Sequence, residues 1–284
     1  MNASLFDYLK SGSLYALPHH AISRVVYKLT RIESALVTPA IKAFSRIFKV
    51  NLDEAKNPDP ASYASFNAFF TREIKSELRP IDDAQMVSPV DGTVSQSGPI
   101  KEGRIFQAKG QDYTVQELLA CSDGAAQQFS AGQFITIYLS PRDYHRMHMP
   151  FKGDLTEQVH IPGRLFSVAP HTVKTVPRIF ARNERVVANF DTEFGRMAMV
   201  LVGAINVAAI ETVWDGLVTP PKGKSISRKS YAAGEVVLDK GQEMGRFNMG
   251  STVIIVMESP SPELAKGLIE GLPLKMGQTI SGCN

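Results

Sequence analysis

Apolar residues recur with helical spacing in the first fifty residues and with strand spacing in much of the remaining chain. Between residues 13 and 50 the pattern predicts two or three short helices, with Pro18 and Pro39 marking starts or breaks. After residue 88, short runs of β-branched and aromatic residues alternate with turn residues, which is typical of strands. The chain is therefore predicted to have an α+β fold, with N-terminal basic amphipathic helices before a mainly antiparallel β core.

Individual elements follow from the same pattern. Strands are predicted at residues 134–139, 186–190, 197–202, 206–213 and 252–257. Ser65 is a predicted N-cap of a short helix with an apolar stripe, and Thr114 with Glu117 forms a capping box that opens another. Pro262 is placed to start a late helix over residues 264–269.

Basic residues are concentrated near the N-terminus. In the first fifty residues seven lysines and arginines oppose two acidic residues, although the net charge of the whole chain is only +3. The last predicted helix of this region has an apolar face formed by Ile41, Phe44 and Phe48. Its opposite face is basic and is formed by Lys42, Arg46 and Lys49. Such a helix can lie in a membrane interface or pack on the protein core, and its spacing favours neither. The charge suits an anionic partner, but no nucleic-acid-binding motif is recognised, so nucleic acid is not expected.

Composition limits the class of protein. With 44% hydrophobic residues the chain has enough apolar material for one large domain or for a core with an extension. Two cysteines do not indicate a disulfide scaffold, and a reducing compartment is expected. Asp7 and Lys10 interrupt any signal-peptide core, and the longest apolar run, residues 197–210, is broken by Gly203 and Asn206. Neither a signal peptide nor a membrane-spanning segment is therefore predicted.

The candidate chemistry centres on Gly250 and Ser251, which precede the apolar run of residues 253–257. The Ser251 hydroxyl can attack the Gly250 carbonyl through a five-membered ring, and glycine leaves the approach open and tolerates a strained backbone. The product is an ester. Elimination from this ester would cut the chain and leave dehydroalanine, which hydrolyses to a pyruvoyl group. A Gly-Ser-Thr sequence is ordinarily a turn that enters a strand, so this chemistry depends on other residues nearby.

Two other segments contain side chains that could activate this serine. A serine nucleophile needs a base to take its proton and a third group to orient that base. His145 and His148 follow a predicted strand, and Asp91 precedes Gly92 in a turn-like sequence. Residues three apart point to opposite faces of a strand, so the histidines can have different roles, and either could also be an ordinary core residue. No metal site is predicted, since the chain has two cysteines and no second histidine pair positioned to help.

Together these segments resemble the bacterial phosphatidylserine decarboxylase family. The resemblance rests on Met-Gly-Ser-Thr at residues 249–252, on Asp-Tyr-His-Arg-Met-His-Met-Pro at residues 143–150 and on Pro-Val-Asp-Gly at residues 89–92. Further similar segments lie at residues 65–70, 183–186, 190–195, 211–214 and 240–245, so the similarity spans most of the chain. Met249 stands where the family usually has leucine, and this change lies outside the scissile bond.

The resemblance implies a role for each candidate residue. Ser251 would cut the Gly250–Ser251 bond and become the pyruvoyl group, which forms a Schiff base with the substrate amine. Asp91 and His148 correspond to the orienting acid and the base of self-cleavage, and His145 corresponds to the histidine of decarboxylation. The expected cofactor is therefore the covalent pyruvoyl group derived from Ser251, with no metal.

The resemblance also implies the substrate, the partners and the location. Phosphatidylserine would be converted to phosphatidylethanolamine by a β chain of residues 1–250 and an α chain of residues 251–284, which form a heterodimer. A homodimer of that unit is a further possibility. Residues 1–60 are expected to form a membrane-associating helical region and residues 61–284 the catalytic domain. The lipid substrate favours the membrane interpretation of the basic helices, with peripheral binding to the anionic cell membrane on the cytoplasmic side.

Two other functions are compatible with parts of the pattern. A serine hydrolase could use Ser251, His148 and Asp91 without cutting the chain, although the Gly-x-Ser-x-Gly elbow is absent at this serine. A non-enzymatic lipid-binding protein could use the basic helices and the β core alone. Both alternatives predict one uncut chain on a denaturing gel, whereas self-cleavage predicts two pieces.

Overall fold

The computed structural model describes residues 4–108, 110–205, 209–220 and 225–282. Within these ranges the helices are α1 (Leu5–Leu14), α2 (His19–Leu29), α3 (Val37–Phe48), α4 (Phe66–Phe70), α5 (Val115–Leu119), α6 (Asp123–Gln128), α7 (Pro170–Thr175) and α8 (Ile179–Arg182). The strands are β1 (Gly92–Pro99), β2 (Arg104–Ala108), β3 (Gln111–Thr114), β4 (Gln133–Tyr138), β5 (Arg146–His148), β6 (Gly153–Ile161), β7 (Arg185–Thr192), β8 (Gly195–Val202), β9 (Ile210–Thr212), β10 (Gly216–Thr219), β11 (Ser227–Ser230), β12 (Val237–Leu238), β13 (Glu243–Phe247), β14 (Thr252–Met257) and β15 (Pro273–Leu274).

Most strands belong to one large antiparallel sheet. Its order is β11-β6-β7-β8-β14-β4-β1-β15, and β12 also pairs with β6. A second antiparallel sheet has the order β10-β9-β13-β5, and β2 and β3 form a separate two-stranded ribbon. The predicted α+β fold with a mainly antiparallel β core is therefore confirmed.

Strand β14 lies in the middle of the large sheet. Thr252 pairs with Val202 of β8 on one side and with Tyr138 of β4 on the other, and both pairings continue to Met257. Every residue of β14 is buried. A strand that is covered on both faces needs apolar side chains on both, which explains why this segment is a continuous apolar run.

Several predicted elements are confirmed near their predicted bounds. Strands β4, β7, β8 and β14 occupy predicted strand positions, and the predicted capping box opens α5. Ser65 caps α4 by accepting a hydrogen bond from the backbone N–H of Ala68. For the strand predicted at residues 206–213, β9 covers Ile210–Thr212, and residues 206–208 lie outside the described residues.

The helix predicted at residues 264–269 is wrong, and Pro262 starts no helix. Leu264 instead forms an isolated bridge with Ser281, and its backbone N–H donates to the side-chain oxygen of Gln133 at 3.0 Å. The local sequence is compatible with a helix, but these tertiary hydrogen bonds hold the backbone against the start of β4. Tertiary contacts routinely override local helix propensity in this way.

Helix α3 packs part of its apolar face on the protein. Ile41 is fully buried, and the ring of Phe44 contacts three phenylalanine rings of α4 at centroid distances of 5.1 to 6.1 Å. The expectation that Ile41 enters a membrane interface is therefore wrong, because it lies in a small core with α4, against which Phe44 is partly buried. The exposed large apolar side chains of α3 are Ile47 and Phe48.

Exposed large apolar side chains are nevertheless concentrated in the N-terminal helices. Of nineteen such side chains among the described residues, eleven lie before residue 49, including Leu5, Phe6 and Leu36. A surface of this kind marks a place where a partner or a membrane can bind. Within the described ranges, none of the helices combines the length and apolar character needed to cross a bilayer.

Candidate active site

The segments that contain the candidate residues meet at one end of the large sheet. Asp91 directly precedes β1, Ser251 directly precedes β14, and residues 139–148 follow β4, which lies between those two strands. Tyr138 of β4 pairs with β1 on one side and with β14 on the other. Adjacent strands lie about 4.8 Å apart, so the backbones of Asp91 and Ser251 are separated by on the order of 10 Å.

Ser251 is held at the entrance of β14. Its main-chain oxygen accepts a hydrogen bond of 2.9 Å from the backbone N–H of Leu139, next to the end of β4. The side chain is fully buried, and Oγ has no hydrogen-bond partner among the described residues. No hydrogen bond to the described residues therefore has to be broken before this hydroxyl can react.

Gly250 offers an open approach without a strained backbone. A Cβ atom at this position would lie 3.5 Å from the main-chain oxygen of Leu139 and 3.6 Å from Nε2 of His145, which is ordinary van der Waals contact. Gly250 is not among the described glycines that have a positive φ angle. The suggested strain is therefore not present, and the relevant property of Gly250 is the lack of a side chain beside His145.

His145 is the histidine nearer to Gly250. It is fully buried, and its Nδ1 donates to the main-chain oxygen of Asp143 at 2.7 Å, because a carbonyl oxygen can only accept. In the neutral ring Nε2 is then an acceptor, and this atom has no partner among the described residues. Burial lowers the pKa of His145 to about 3, and the positive charge of Arg72 adds to the shift. At neutral pH His145 therefore presents a lone pair toward Gly250.

His148 ends β5 and lies beside Tyr144, with ring centroids 5.6 Å apart. Its backbone N–H donates to the main-chain oxygen of Pro89 at 2.9 Å, which ties β5 to the turn that contains Asp91. The side chain is buried, and Nδ1 has no partner within the described part of the chain. Burial lowers the pKa of His148 to about 4, the charge of Arg146 lowers it further, and the charge of Asp91 opposes both effects.

The Asp91 carboxylate is buried and is held by cationic side chains. Arg79 donates Nε to Oδ1 at 2.8 Å and Nη2 to Oδ2 at 2.6 Å, and Nζ of Lys275 lies 3.3 Å from Oδ2. A two-point arginine contact of this kind fixes the orientation of a carboxylate. No hydrogen bond joins Asp91 to His148, although both are among the described residues, so their interaction is through charge. The predicted role of Asp91 toward His148 stays a prediction.

Sequence reasoning did not find the two buried arginines of this region. Arg79 lies twelve residues before Asp91, outside the helices and strands, and no spacing rule connects the two. Arg72 is 5% exposed and donates through Nη2 to the main-chain oxygen of Arg142 at 3.2 Å. A signal for Arg72 was available, because it lies two residues after the segment of residues 65–70 that carries part of the resemblance.

Three cavities surround this end of the sheet. A cavity of about 110 Å³ next to Gly250 is lined mainly by apolar side chains. A larger cavity of about 510 Å³ shares Tyr138 with it. A third cavity of about 270 Å³ is lined by charged side chains that include Asp91 and Arg72. The site therefore places apolar and charged spaces side by side.

Comparison with known protein families bears directly on this site. The phosphatidylserine decarboxylase family model matches residues 66–282, which include all five candidate residues. The chain belongs to the phosphatidylserine decarboxylase family. A second family model, described as PSD, matches residues 9–49 in the N-terminal helices. As a member of the first family, the chain is an enzyme of the carboxy-lyase class.

Individual relatives of the family match the chain over almost its whole length. The chain is 54% identical over 283 residues to the phosphatidylserine decarboxylase proenzyme of Alkalilimnicola ehrlichii. The matched residues make up 98% of this chain and 97% of the relative. The chain is also 51% identical over 282 residues to the phosphatidylserine decarboxylase proenzyme of Shewanella loihica. Here the matched residues make up 97% of this chain and 99% of the relative. The similarity therefore includes both the N-terminal helices and the β core.

Proposed function

We propose that the chain is a precursor that cuts itself between Gly250 and Ser251 and then decarboxylates phosphatidylserine to phosphatidylethanolamine. Membership of the family supports the reaction and the substrate. Self-cleavage rests chiefly on the buried, unpartnered Oγ of Ser251, which follows a glycine whose carbonyl it can attack. The relatives are named as proenzymes, which supports a processed chain.

Self-cleavage begins when a base removes the proton from the Ser251 hydroxyl. The oxygen attacks the Gly250 carbonyl carbon, the C–N bond breaks, and the proton passes to the nitrogen of residue 251, which gives an ester. Loss of the α-proton of residue 251 then expels the Gly250 carboxylate and leaves dehydroalanine. Addition of one water and release of one ammonia convert dehydroalanine to the pyruvoyl group. The carbon atoms of the pyruvoyl group therefore come from Ser251, and its ketone oxygen comes from water.

We assign the base to His148 and its support to Asp91. The resemblance to the family assigns this role to His148, and burial lowers the pKa values of both histidines, so either ring is neutral at neutral pH and able to accept a proton. The negative charge of Asp91 also stabilises the protonated form of His148 that exists after proton transfer. Arg79 holds Asp91 in place for this role.

Decarboxylation uses the same end of the sheet. The pyruvoyl carbonyl supplies an electron sink when CO₂ leaves the substrate. His145 Nε2 lies beside Gly250, so in the cut chain this atom can face the reacting head group and hold or return a proton there. The apolar cavity next to Gly250 disfavours a carboxylate more than it disfavours neutral CO₂, and this difference lowers the barrier to decarboxylation.

We propose that the two pieces remain together as a heterodimer. Strand β14 would belong to the α chain, whereas its neighbours β4 and β8 would belong to the β chain. Six residue pairs join β14 to each neighbour, and all of β14 is buried. Separation would expose an apolar strand and two sheet edges, so we expect the cut chains to stay associated. A homodimer of this unit is an additional expectation from the resemblance, which light scattering would test.

We also propose that residues 1–60 bind the cytoplasmic side of an anionic membrane peripherally. The proposal is supported by the exposed apolar side chains before residue 49, by the exposed Lys42 and Arg46 of α3 and by the exposed Lys49 directly after it. Basic side chains near an anionic surface contribute on the order of 1 kcal/mol each. A lipid substrate also requires the active site to reach a membrane surface.

A denaturing gel with an intact mass tests the proposed function. The parent chain should give pieces of residues 1–250 and 251–284, and the second piece should lack a free N-terminal amine. Ser251→Ala should stay uncut and inactive, because no hydroxyl is present to attack Gly250. Thr252→Val is the matched control, since it removes the neighbouring buried hydroxyl and should still be cut.

Three outcomes would contradict this function. An α chain that sequences normally from serine by Edman degradation would exclude the pyruvoyl group. An uncut parent that hydrolyses esters would favour a serine hydrolase. An uncut, inactive parent that binds lipid would favour a lipid-binding protein.

A further inference from the structure

The chain that leads to the proposed scissile bond is anchored by a carboxylate outside the reacting groups. We propose that Glu211 is a positioning residue for self-cleavage and that it acts by holding Asn248, two residues before Gly250. The inference rests on the proposed function, because it adds a residue to the proposed cleavage step. Glu211 would act through Asn248 and not on the reacting atoms themselves.

Asn248 is fully buried, and its amide faces Glu211. Its Nδ2 donates to Oε1 of Glu211 at 3.0 Å and to the main-chain oxygen of Ala209 at 3.3 Å. The backbone N–H of Asn248 donates to the same oxygen of Ala209 at 2.9 Å. The carboxylate sets the orientation of the amide, because two facing acceptor oxygens would repel each other. Asn248 is therefore held through both its backbone and its side chain.

Glu211 is itself held in place by two arginines. Its Oε2 accepts a hydrogen bond of 2.8 Å from Nε of Arg246, which lies directly opposite on β13. Nη2 of Arg31 lies 3.7 Å from Oε1. Hydrogen bonds that include a charged group are stronger than neutral ones, so Glu211 offers Asn248 a fixed and strong acceptor. Because Arg31 closely follows α2, the contact also connects the N-terminal helices to the cleavage site.

The cleavage segment, residues 248–251, is fixed at both ends. Asn248 has the hydrogen bonds described above, and the main-chain oxygen of Ser251 is bonded to the end of β4 at 2.9 Å. Only Met249 and Gly250 lie between these anchors, so the anchors determine where the Gly250 carbonyl lies. Reacting atoms must lie about 3–3.5 Å apart, and a displacement of about 1 Å can cost on the order of 10²-fold in rate. Loss of one anchor should therefore slow self-cleavage.

Removal of either partner tests the contact. We expect Glu211→Ala and Asn248→Ala each to slow self-cleavage by ~10–100-fold, because the cleavage segment loses an anchor. The double variant should be cut about as slowly as the slower single variant, since both substitutions remove the same contact. Precursors made by cell-free synthesis and sampled over time on a denaturing gel give the three rates.

Two conservative variants separate the reach of Glu211 from its charge. Glu211→Gln keeps an acceptor oxygen at the same reach and loses the charge, so it should be cut clearly faster than Glu211→Ala. Glu211→Asp keeps the charge but is one methylene shorter, so it should be cut as slowly as Glu211→Ala. Both variants retain a polar side chain, and their order decides the question if the alanine variants do not fold.

Glu157 of the large sheet provides a matched control. Like Glu211, it accepts from an asparagine amide, that of Asn189 at 3.1 Å, and from an arginine, Arg228 at 3.2 Å. Its side chain is 28% exposed, against 22% for Glu211. Glu157→Ala and Glu211→Ala should lower the urea midpoint of the uncut Ser251→Ala chain to a similar extent. Only Glu211→Ala should slow cutting in the parent background.

The outcomes distinguish this inference from the proposed function. If the parent is cut and Glu211→Ala is cut at the same rate, the positioning role is wrong and the proposed function stands. If Glu157→Ala slows cutting as much as Glu211→Ala does, the effect reflects general stability and the inference is overturned. If Glu211→Asp is cut faster than Glu211→Gln, charge and not position is responsible, and the inference is again wrong. An uncut parent would overturn the proposed function and this inference with it.

Discussion

His145 and His148 are three residues apart and both are buried, yet their surroundings differ. Nδ1 of His145 is fixed by a backbone carbonyl, and its Nε2 faces Gly250. His148 lies beside Tyr144 and experiences the charge of Asp91. Because alternate positions of a strand face opposite sides, the two rings reach different parts of the site. The two residues can therefore contribute to different steps of the reaction.

The two histidines should separate by function when each is removed. We expect His148→Ala to remain mostly uncut, because the base for Ser251 is lost. His145→Ala should be cut but should decarboxylate ~10²–10⁴-fold more slowly, the usual effect of losing a positioned acid or base. A denaturing gel and a CO₂-release assay on the same sample measure both steps.

The exposed His20 provides a control, and His20→Ala should be cut and fully active. A folded but uncut His145→Ala would transfer the cleavage role to His145, whose Nε2 is the histidine atom near Gly250. A His145→Ala protein that is cut and fully active would remove His145 from the mechanism.

Self-cleavage should not follow the ordinary titration of histidine. Burial lowers the pKa values of His145 and His148 to about 3 and about 4, whereas an unperturbed histidine titrates near about 6.5. Both rings are therefore neutral at pH 5.5 and can still accept a proton. For a precursor made by cell-free synthesis, the cleavage rate on a gel should stay constant from about pH 8 to 5.5 and fall toward pH 4. A rate that halves near pH 6.5 would contradict this account.

The candidate residues could be found from the sequence because each lies in a short segment with a recognisable pattern. Their hydrogen bonds could not be found in the same way. Arg79 reaches Asp91 only because the chain before β1 folds back over the end of the sheet, and no periodicity relates these two residues. The proximity of His145 to Gly250 likewise depends on β13 pairing with β5, which a single sequence does not specify.

Among the elements, α3 shows how an amphipathic pattern can be divided between two environments. Ile41 lies in the small core with α4, and Ile47 on the same helix is 72% exposed. The spacing of apolar residues predicted the helix correctly but did not show which of these side chains the core would bury. Burial depends on α4, whose sequence begins many residues later.

Two matched substitutions on α3 test this division. Ile41→Ala should lower the free energy of unfolding by about 2–5 kcal/mol, because it leaves a cavity in a packed core. Ile47→Ala should change it by less than about 0.5 kcal/mol, since the side chain is exposed. Urea unfolding of the uncut Ser251→Ala chain measures both values. Equal losses at the two positions would contradict the packing of α3 on α4.

Strands were easier to predict than the late helix for a physical reason. A strand such as β14 is buried on both faces, so its sequence consists mainly of apolar, β-branched residues. The segment at residues 264–269 has helix-compatible residues, but the backbone of Leu264 donates a hydrogen bond to Gln133 and forms a bridge with Ser281. Local patterns therefore specified the centre of the sheet, while its periphery was set by contacts between distant segments.

For the whole molecule, the N-terminal helices should determine membrane binding. The triple variant Lys42→Glu, Arg46→Glu and Lys49→Glu should bind anionic vesicles much more weakly at low salt and show a smaller change at high salt. Each basic residue contributes on the order of 1 kcal/mol near such a surface, and salt screens this attraction. Sedimentation with vesicles at two salt concentrations gives the measurement.

A variant with the same change of charge outside residues 1–60 provides the control. Lys152→Glu, Arg196→Glu and Lys266→Glu alter three exposed side chains of the β core and should leave vesicle binding nearly unchanged. If the triple variant of α3 sediments with the vesicles as the parent does, the docking proposal is wrong.

The central position of β14 also predicts how the cut enzyme unfolds. The uncut Ser251→Ala chain should refold from urea, because β14 is still joined to the rest of the sheet. The cut enzyme should not recover its fold, since a short free α chain must find a central place between β4 and β8. Circular dichroism before and after dilution from urea measures recovery. Full recovery of the cut enzyme would show that β14 can insert after the rest of the sheet has formed.

The meeting of three segments at one end of the sheet has a consequence for quality control. Ser251 has its proposed base and its buried surroundings only when β1, β4 and β14 are already aligned. An unfolded or misfolded chain therefore lacks the means to cut itself. Under the proposed function, a reactive ketone would be made only in molecules that have reached the native state, and defective molecules would remain chemically inert. Self-cleavage would thus limit activity to correctly folded molecules of this protein, and no separate enzyme would be needed for this selection.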